Sequence, residues 1–174
     1  MFTKEFIETV FIAEIKQMTI GSDGKARHPY IGFSLICQSI EVLGACFDEY
    51  NWEDRSLSEL RFRLAINKLF LEKYKECNGK NKKIDLYKHL RCPMIHQMRP
   101  GRYIGLSERK HEETAKASNL HLTKQGEQLL LIYEDFLNDF ILASKKLFDM
   151  IDSGELRSEK VLGHSIFIPS DFEK

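Results

Sequence analysis

Two side chains five positions apart, Arg91 and His96, stand in the stretch LRCPMIHQMRPG at 90–101. A guanidinium cannot shed its charge and offers a planar fork of donors to anionic oxygens. An imidazole, with an unperturbed pKa of about 6.5, can accept or release a proton near neutrality. The pair therefore combines an anion holder with a proton-transfer group. A plainer reading pairs Arg91 with a carboxylate such as Glu41 or Asp48, because a charge on the core side of a helix must be neutralised there. A third reading takes His89, Cys92 and His96, at steps of three and four, as zinc ligands on one face.

The element that positions these residues is a helix expected from Ile84 or Asp85 to about Met98. Ile84, Tyr87, Leu90, Met94 and Met98 fall on one arc of it, with Arg91 inside that arc. In a regular helix His96 lies about 140° round from Arg91. Pro93 removes a backbone donor and strains the preceding turn, so a kink is expected between Lys88 and Pro93. Such a bend, or a second copy of the chain, would bring the two side chains to one cleft. Arg99-Pro100-Gly101 ends the helix.

Around it the chain reads as mainly α, a bundle of four or five helices with a small β-hairpin element. Apolar spacing gives a first helix over about 2–20. A second starts at Pro29 with Phe33, Ile36, Ile40, Leu43 and Phe47 along one side. Its opposite side carries Ser34, Cys37, Glu41, Gly44 and Asp48, a seam where another helix could come close, and these small residues are one ground for expecting a second copy there. Ser56 and Glu59 have capping-box spacing and open a third helix to about Tyr74. YIGL and NLHLT are strand-like, KQGE reads as a turn before QLLLI, and a final helix runs from Glu134 to Gly154. Residues 1–154 are expected to form one domain and 155–174 a tail.

Lys and Arg together number 26 and so do Asp and Glu, so the chain has no overall basic field and any polyanion must be held locally. Lys88, His89, Arg99 and Arg102 make such a local patch. The four cysteines form no CxxC pair, which fits reduced thiols in a cytoplasm. No apolar run reaches membrane length. Gly-rich phosphate loops, HExxH and GxSxG do not occur, and no metal or other cofactor is expected.

The spacing R-x4-H near the end of a helix, with SIEVLGACFD before it and QLLLIYEDFLNDF after it, resembles the HEPN superfamily over roughly residues 30–150, in a bacterial branch. That resemblance implies a helical bundle that forms a homodimer with two motifs lining one cleft. In active members it implies a metal-independent ribonuclease, with Arg91 and His96 catalytic. Lys88, His89, Arg99 and Arg102 would contact RNA, and an antitoxin or other protein would be a further partner. Inactive members serve as dimerisation or interaction modules. Cys92 stands where active members often carry a polar residue, and Met98 where one branch carries a tyrosine. A different class is carried by GLSERKHEETAKASNLHLTKQGEQLL, which resembles the wing and following helix of winged-helix regulators and would make residues 101–126 a duplex-DNA contact.

Overall fold

The computed structural model describes residues 3–110 and 120–156. Among these, six helices surround one core and a three-stranded sheet closes one end. Helix α1 consists of three consecutive segments, Thr3–Phe6, Ile7–Glu14 and Ile15–Thr19, the middle one wound as a π-helix. Helices α2 (Pro29–Ala45), α3 (Ser58–Leu69) and α4 (Glu72–Glu76) follow. Helix α5 carries the motif, with a π-helical first part, Tyr87–Arg91, and an α-helical second part, Cys92–Gln97. Helix α6 is Tyr133–Asp152.

Helix α2 is the central element because it is buried on both of its sides. Phe33, Ile36, Ile40 and Leu43 are at most 1% exposed, and Ser34, Cys37 and Gly44 on the other side are buried as well. The second seam is consumed inside the chain. A Cβ on Gly44 would stand 1.7 Å from the Arg61 carbonyl oxygen, so only glycine lets α3 approach this closely. Ser34 donates to the Met94 carbonyl at 3.2 Å, Asp48 pairs with Arg61 at 2.8 Å, and Glu41 pairs with Arg91. The seam is therefore filled by α3 and α5 of the same chain. It gives no argument for a second copy, contrary to the expectation drawn from its small residues.

Helix α6 shows the same logic in its plainer form. Phe136, Phe140, Ala143 and Leu147 recur at helical spacing and are buried, and the Phe136 ring stacks on Phe33 with centroids 5.5 Å apart. Each such large side chain contributes roughly 2 kcal/mol by leaving water. Gly154, at φ +75, follows the helix.

Helix α2 ends at Ala45, short of Phe47 and Asp48, and both boundaries of α3 differ from expectation. Ser56 takes a left-handed conformation, φ 64, so the capping box does not form and α3 starts behind Leu57 with no side-chain cap. The chain becomes extended at Phe70 rather than continuing to Tyr74. The break lets Phe70 and Tyr74 both turn inward, edge to face at 5.2 Å, which one straight helix would not allow.

The sheet has strand order β1-β3-β2, with β1 Ile104–Ser107, β2 Thr123–Gln125 and β3 Gln128–Ile132. The hairpin is β2–β3, closed by a two-residue turn in which Gly126 takes φ +62, as the KQGE reading expects. β1 pairs with β3 in parallel, Ile104 opposite Leu129 through Ser107 opposite Ile132. The strands before and after the charged segment thus lie on opposite edges of β3. They do not pair with each other, as the two strands of a wing would. Residues 111–119 of that segment, and the tail from 157 including SIFIP, lie outside the described residues. No helix among the described residues is long and apolar enough to cross a membrane.

Candidate functional site

Both ends of α5 are clamped, and the clamps follow from its sequence. At the start, the Asp85 carboxylate accepts the Tyr87 amide at 3.0 Å and is itself held by Arg63 of α3 at 2.7 Å. Pro93 then lacks the amide that would reach the His89 carbonyl in an α-helix, and the turn before it is wound as a π-helix. The expected distortion between Lys88 and Pro93 is this π segment. The freed His89 carbonyl accepts the amide of Gly101 at 2.7 Å, which folds the chain back against the helix. Met98 leaves the helix in a left-handed conformation, φ 53, and is therefore exposed instead of on the core arc; its sulfur lies 3.4 Å from the Ser34 hydroxyl.

Arg91 is turned into the bundle. Its Nε donates to Glu41, its Nη2 lies 3.5 Å from the Ser58 hydroxyl, and its guanidinium carbon sits 5.6 Å from the Tyr87 ring centroid. The Arg91 and Glu41 side chains are only 12% and 15% exposed, so the ion-pair reading of Arg91 holds, with Glu41 as the partner. Asp48, the other carboxylate considered, holds Arg61, which also donates to the Asn51 carbonyl at 2.7 Å. Arg91, Ser58, Gln38, Arg55 and Trp52 line a cleft of about 520 Å³. Tyr87 beside it is pushed up to about 12 by burial and by its contact with Cys92.

His96 lies on the exposed last turn and makes no hydrogen bond or ion pair among the described residues. It does not line the Arg91 cleft. Within one chain the arginine faces inward and the histidine faces water. The π turn does not bring them to one cavity.

The metal reading is overturned. No three His, Cys, Asp or Glu side chains among the described residues are grouped to hold an ion. The Nδ1 atom of His89 accepts the Asp85 amide at 3.0 Å, and Cys92 faces Tyr87. Burial, then the charge of Lys88, lowers the His89 pKa against the opposing pull of Asp85. His89 is thus a neutral hydrogen-bond acceptor rather than a member of a basic patch. Of the other three patch residues, Arg99 and Arg102 line one cavity. Lys88 is exposed, Arg99 donates to Gln97 at 3.0 Å, and Arg102 pairs with Glu127 at 3.2 Å.

Local patterns miss a second polar cluster. The Ile132 amide donates to His121 Nδ1 at 2.9 Å, which leaves the ring proton on Nε2. That nitrogen donates to the Tyr74 hydroxyl at 2.8 Å, and the hydroxyl donates to Asp139 at 2.9 Å. Burial, then Asp139, holds the Tyr74 hydroxyl well above the usual tyrosine range. His121 and Asp139 border a cleft of about 700 Å³. The relay joins α4, the turn ahead of β2 and α6, residues 74, 121 and 139, too far apart in sequence for any spacing rule to find.

Compared with protein-family models, curated proteins and solved structures, the chain matches none of them.

Proposed function

We propose that the chain is a HEPN-like domain in which Arg91 and His96 act on the phosphodiester backbone of RNA, in a cleft completed by a second copy. One observation carries this reading: Glu41 fixes Arg91 through Nε, while the Nη2 edge lies toward Ser58 beside an open cleft of about 520 Å³. A guanidinium oriented in advance in this way stabilises charge that builds on a phosphoryl oxygen without reorganising. His96, uncommitted at the end of the same helix, supplies the proton transfer. A neutral His96 of one copy takes the proton from a ribose 2′-hydroxyl. The 2′-oxygen then bonds to phosphorus as the bond to the 5′-oxygen breaks, and the protonated His96 of the other copy gives its proton to that oxygen. The products are a 2′,3′-cyclic phosphate and a 5′-hydroxyl, and no metal takes part.

The same contact favours a second reading. Glu41 already neutralises Arg91, which suits a non-catalytic interaction module of the same fold. The two separate in one experiment on the full chain. The ribonuclease reading expects cleavage in the presence of chelator, cyclic-phosphate ends, loss of activity in His96→Ala and a dimer by light scattering at micromolar concentration. A wild type that cuts none of several structured and unstructured RNAs, or a monomer, leaves the interaction module.

A further inference from the structure

Behind the motif helix the chain builds a charged aromatic surface from three distant segments. The Tyr103 ring lies edge-on to the His89 ring at 5.0 Å, so it is packed directly against α5. Lys83 Nζ and the Arg102 guanidinium carbon lie over the half-buried Tyr103 ring, 5.8 and 5.3 Å from its centroid, on long exposed side chains that can swing aside. Both cations bond to one carboxylate, Glu127, at 2.8 and 3.2 Å. All three charged side chains are exposed, at 64%, 76% and 58% for Lys83, Arg102 and Glu127. An exposed carboxylate shared by two cations offsets half of their charge and gains little from either contact.

The surroundings extend the positive charge. Lys82 and Lys124 border the adjoining cavity of about 260 Å³, with Glu76 as its other carboxylate besides Glu127. On the other side, a cavity of about 390 Å³ is lined by Gln97, Arg99, Gly101 and Arg102. Its lining includes Gln97, the residue after His96, and Arg102, whose guanidinium lies over the Tyr103 ring.

We infer that Tyr103, flanked by Lys83 and Arg102, is a platform on which single-stranded RNA stacks a base while the two cations take its phosphates in place of Glu127. An aromatic ring bordered by cations binds single strands without reading sequence, since every base has a stacking face. The acidic partners that could use the same cations, such as a peptide of glutamates, have no flat ring for Tyr103. The inference takes its choice of RNA from the function proposed above, but its position in the fold is independent of catalysis.

The test uses the full-length chain carrying His96→Ala, chelator, and a labelled oligouridylate of about twelve nucleotides, a length within the footprint of such platforms. Fluorescence anisotropy reads the affinity, and thermal unfolding confirms that each further variant is folded. Lys83→Glu and Arg102→Glu should each weaken binding about tenfold and flatten its salt dependence. Tyr103→Leu should weaken it about tenfold while leaving the salt dependence unchanged. Glu127→Gln should tighten binding about threefold, because it removes the anion that competes with phosphate. A merely structural Glu127 would not move affinity upward. Unchanged binding in Glu127→Gln together with Lys83→Glu overturns the platform. So does a duplex of the same length, or a polyglutamate peptide, that competes as well as the single strand. Binding without cleavage by the wild type overturns the catalytic proposal and keeps this one; cleavage with no loss of binding in these variants does the reverse.

Discussion

The amide of Gly101 meets the carbonyl of His89 at 2.7 Å, and that carbonyl is open because the residue four positions on is Pro93. A Cβ on residue 101 would stand 2.9 Å from the same oxygen and 3.1 Å from the His89 Cα, and both are backbone atoms that cannot swing aside. Gly101→Ala should therefore cost about 1–3 kcal/mol, the usual penalty of overpacking. Urea denaturation at neutral pH measures it. A loss below about 0.5 kcal/mol would mean that the return of the chain onto α5 is not held by this contact.

The Arg91–Glu41 pair is mostly buried, with Ser58 and Tyr87 around it. Removing one partner leaves the other charge in a poor solvent, so Arg91→Ala and Glu41→Gln should each destabilise the fold by about 3 kcal/mol. The double variant should cost clearly less than the sum, with a coupling of about 2 kcal/mol in the cycle. Additive losses would mean that the two side chains do not depend on each other. Because stability is read directly, this cycle holds whichever function proves correct.

What the sequence discloses here is local. The apolar spacing of α2 and α6 and the turn at Gly126 follow from short-range rules. So does the distortion ahead of Pro93, since the missing amide is a property of that residue alone. The sequence offers Arg91 two carboxylates, Glu41 on α2 and Asp48 just beyond its end, and packing pairs it with Glu41. Periodicity identifies the face that carries Ser34, Cys37, Glu41 and Gly44, but it does not say what covers it. For that reason a seam filled by α3 and α5 can be mistaken for an interface between copies. The Lys83–Tyr103–Glu127 and Tyr74–His121–Asp139 clusters assemble across turns and strand crossings, so no spacing announces them.

His89 gives the fold a dependence on acid. Its pKa is lowered in the folded protein by burial first and Lys88 second, and its Nδ1 must stay unprotonated to accept the Asp85 amide. The unfolded chain therefore binds a proton at His89 more readily than the folded one. This contribution to stability is complete above the unfolded value of about 6.5 and is lost as pH falls from there toward the lowered folded value. Denaturation midpoints between pH 7.5 and 5 should fall more steeply for the wild type than for His89→Gln, which has nothing to protonate. Parallel profiles would remove His89 as the cause.

Tyr74 is fully buried, yet its hydroxyl both accepts from His121 and donates to Asp139. Tyr74→Phe keeps the ring against Phe70 and removes only that hydroxyl. His121 Nε2 already lies 3.3 Å from the Asp139 carboxylate, so the two can close on each other and recover part of the loss. The expected cost is about 1–2 kcal/mol, below that of stranding a buried polar group outright. Asp139→Leu should cost more, because the buried Tyr74 hydroxyl proton then has no acceptor. The alkaline limb gives an independent reading. A hydroxyl held above its ordinary range contributes stability that is complete below the unfolded pKa of about 10 and is lost as pH rises through the folded value. Tyr74→Phe should therefore resist unfolding above pH 10 better, relative to its own neutral stability, than the wild type does. Equal losses in both proteins would place the alkaline transition at Tyr87 and Tyr133, each raised to about 12.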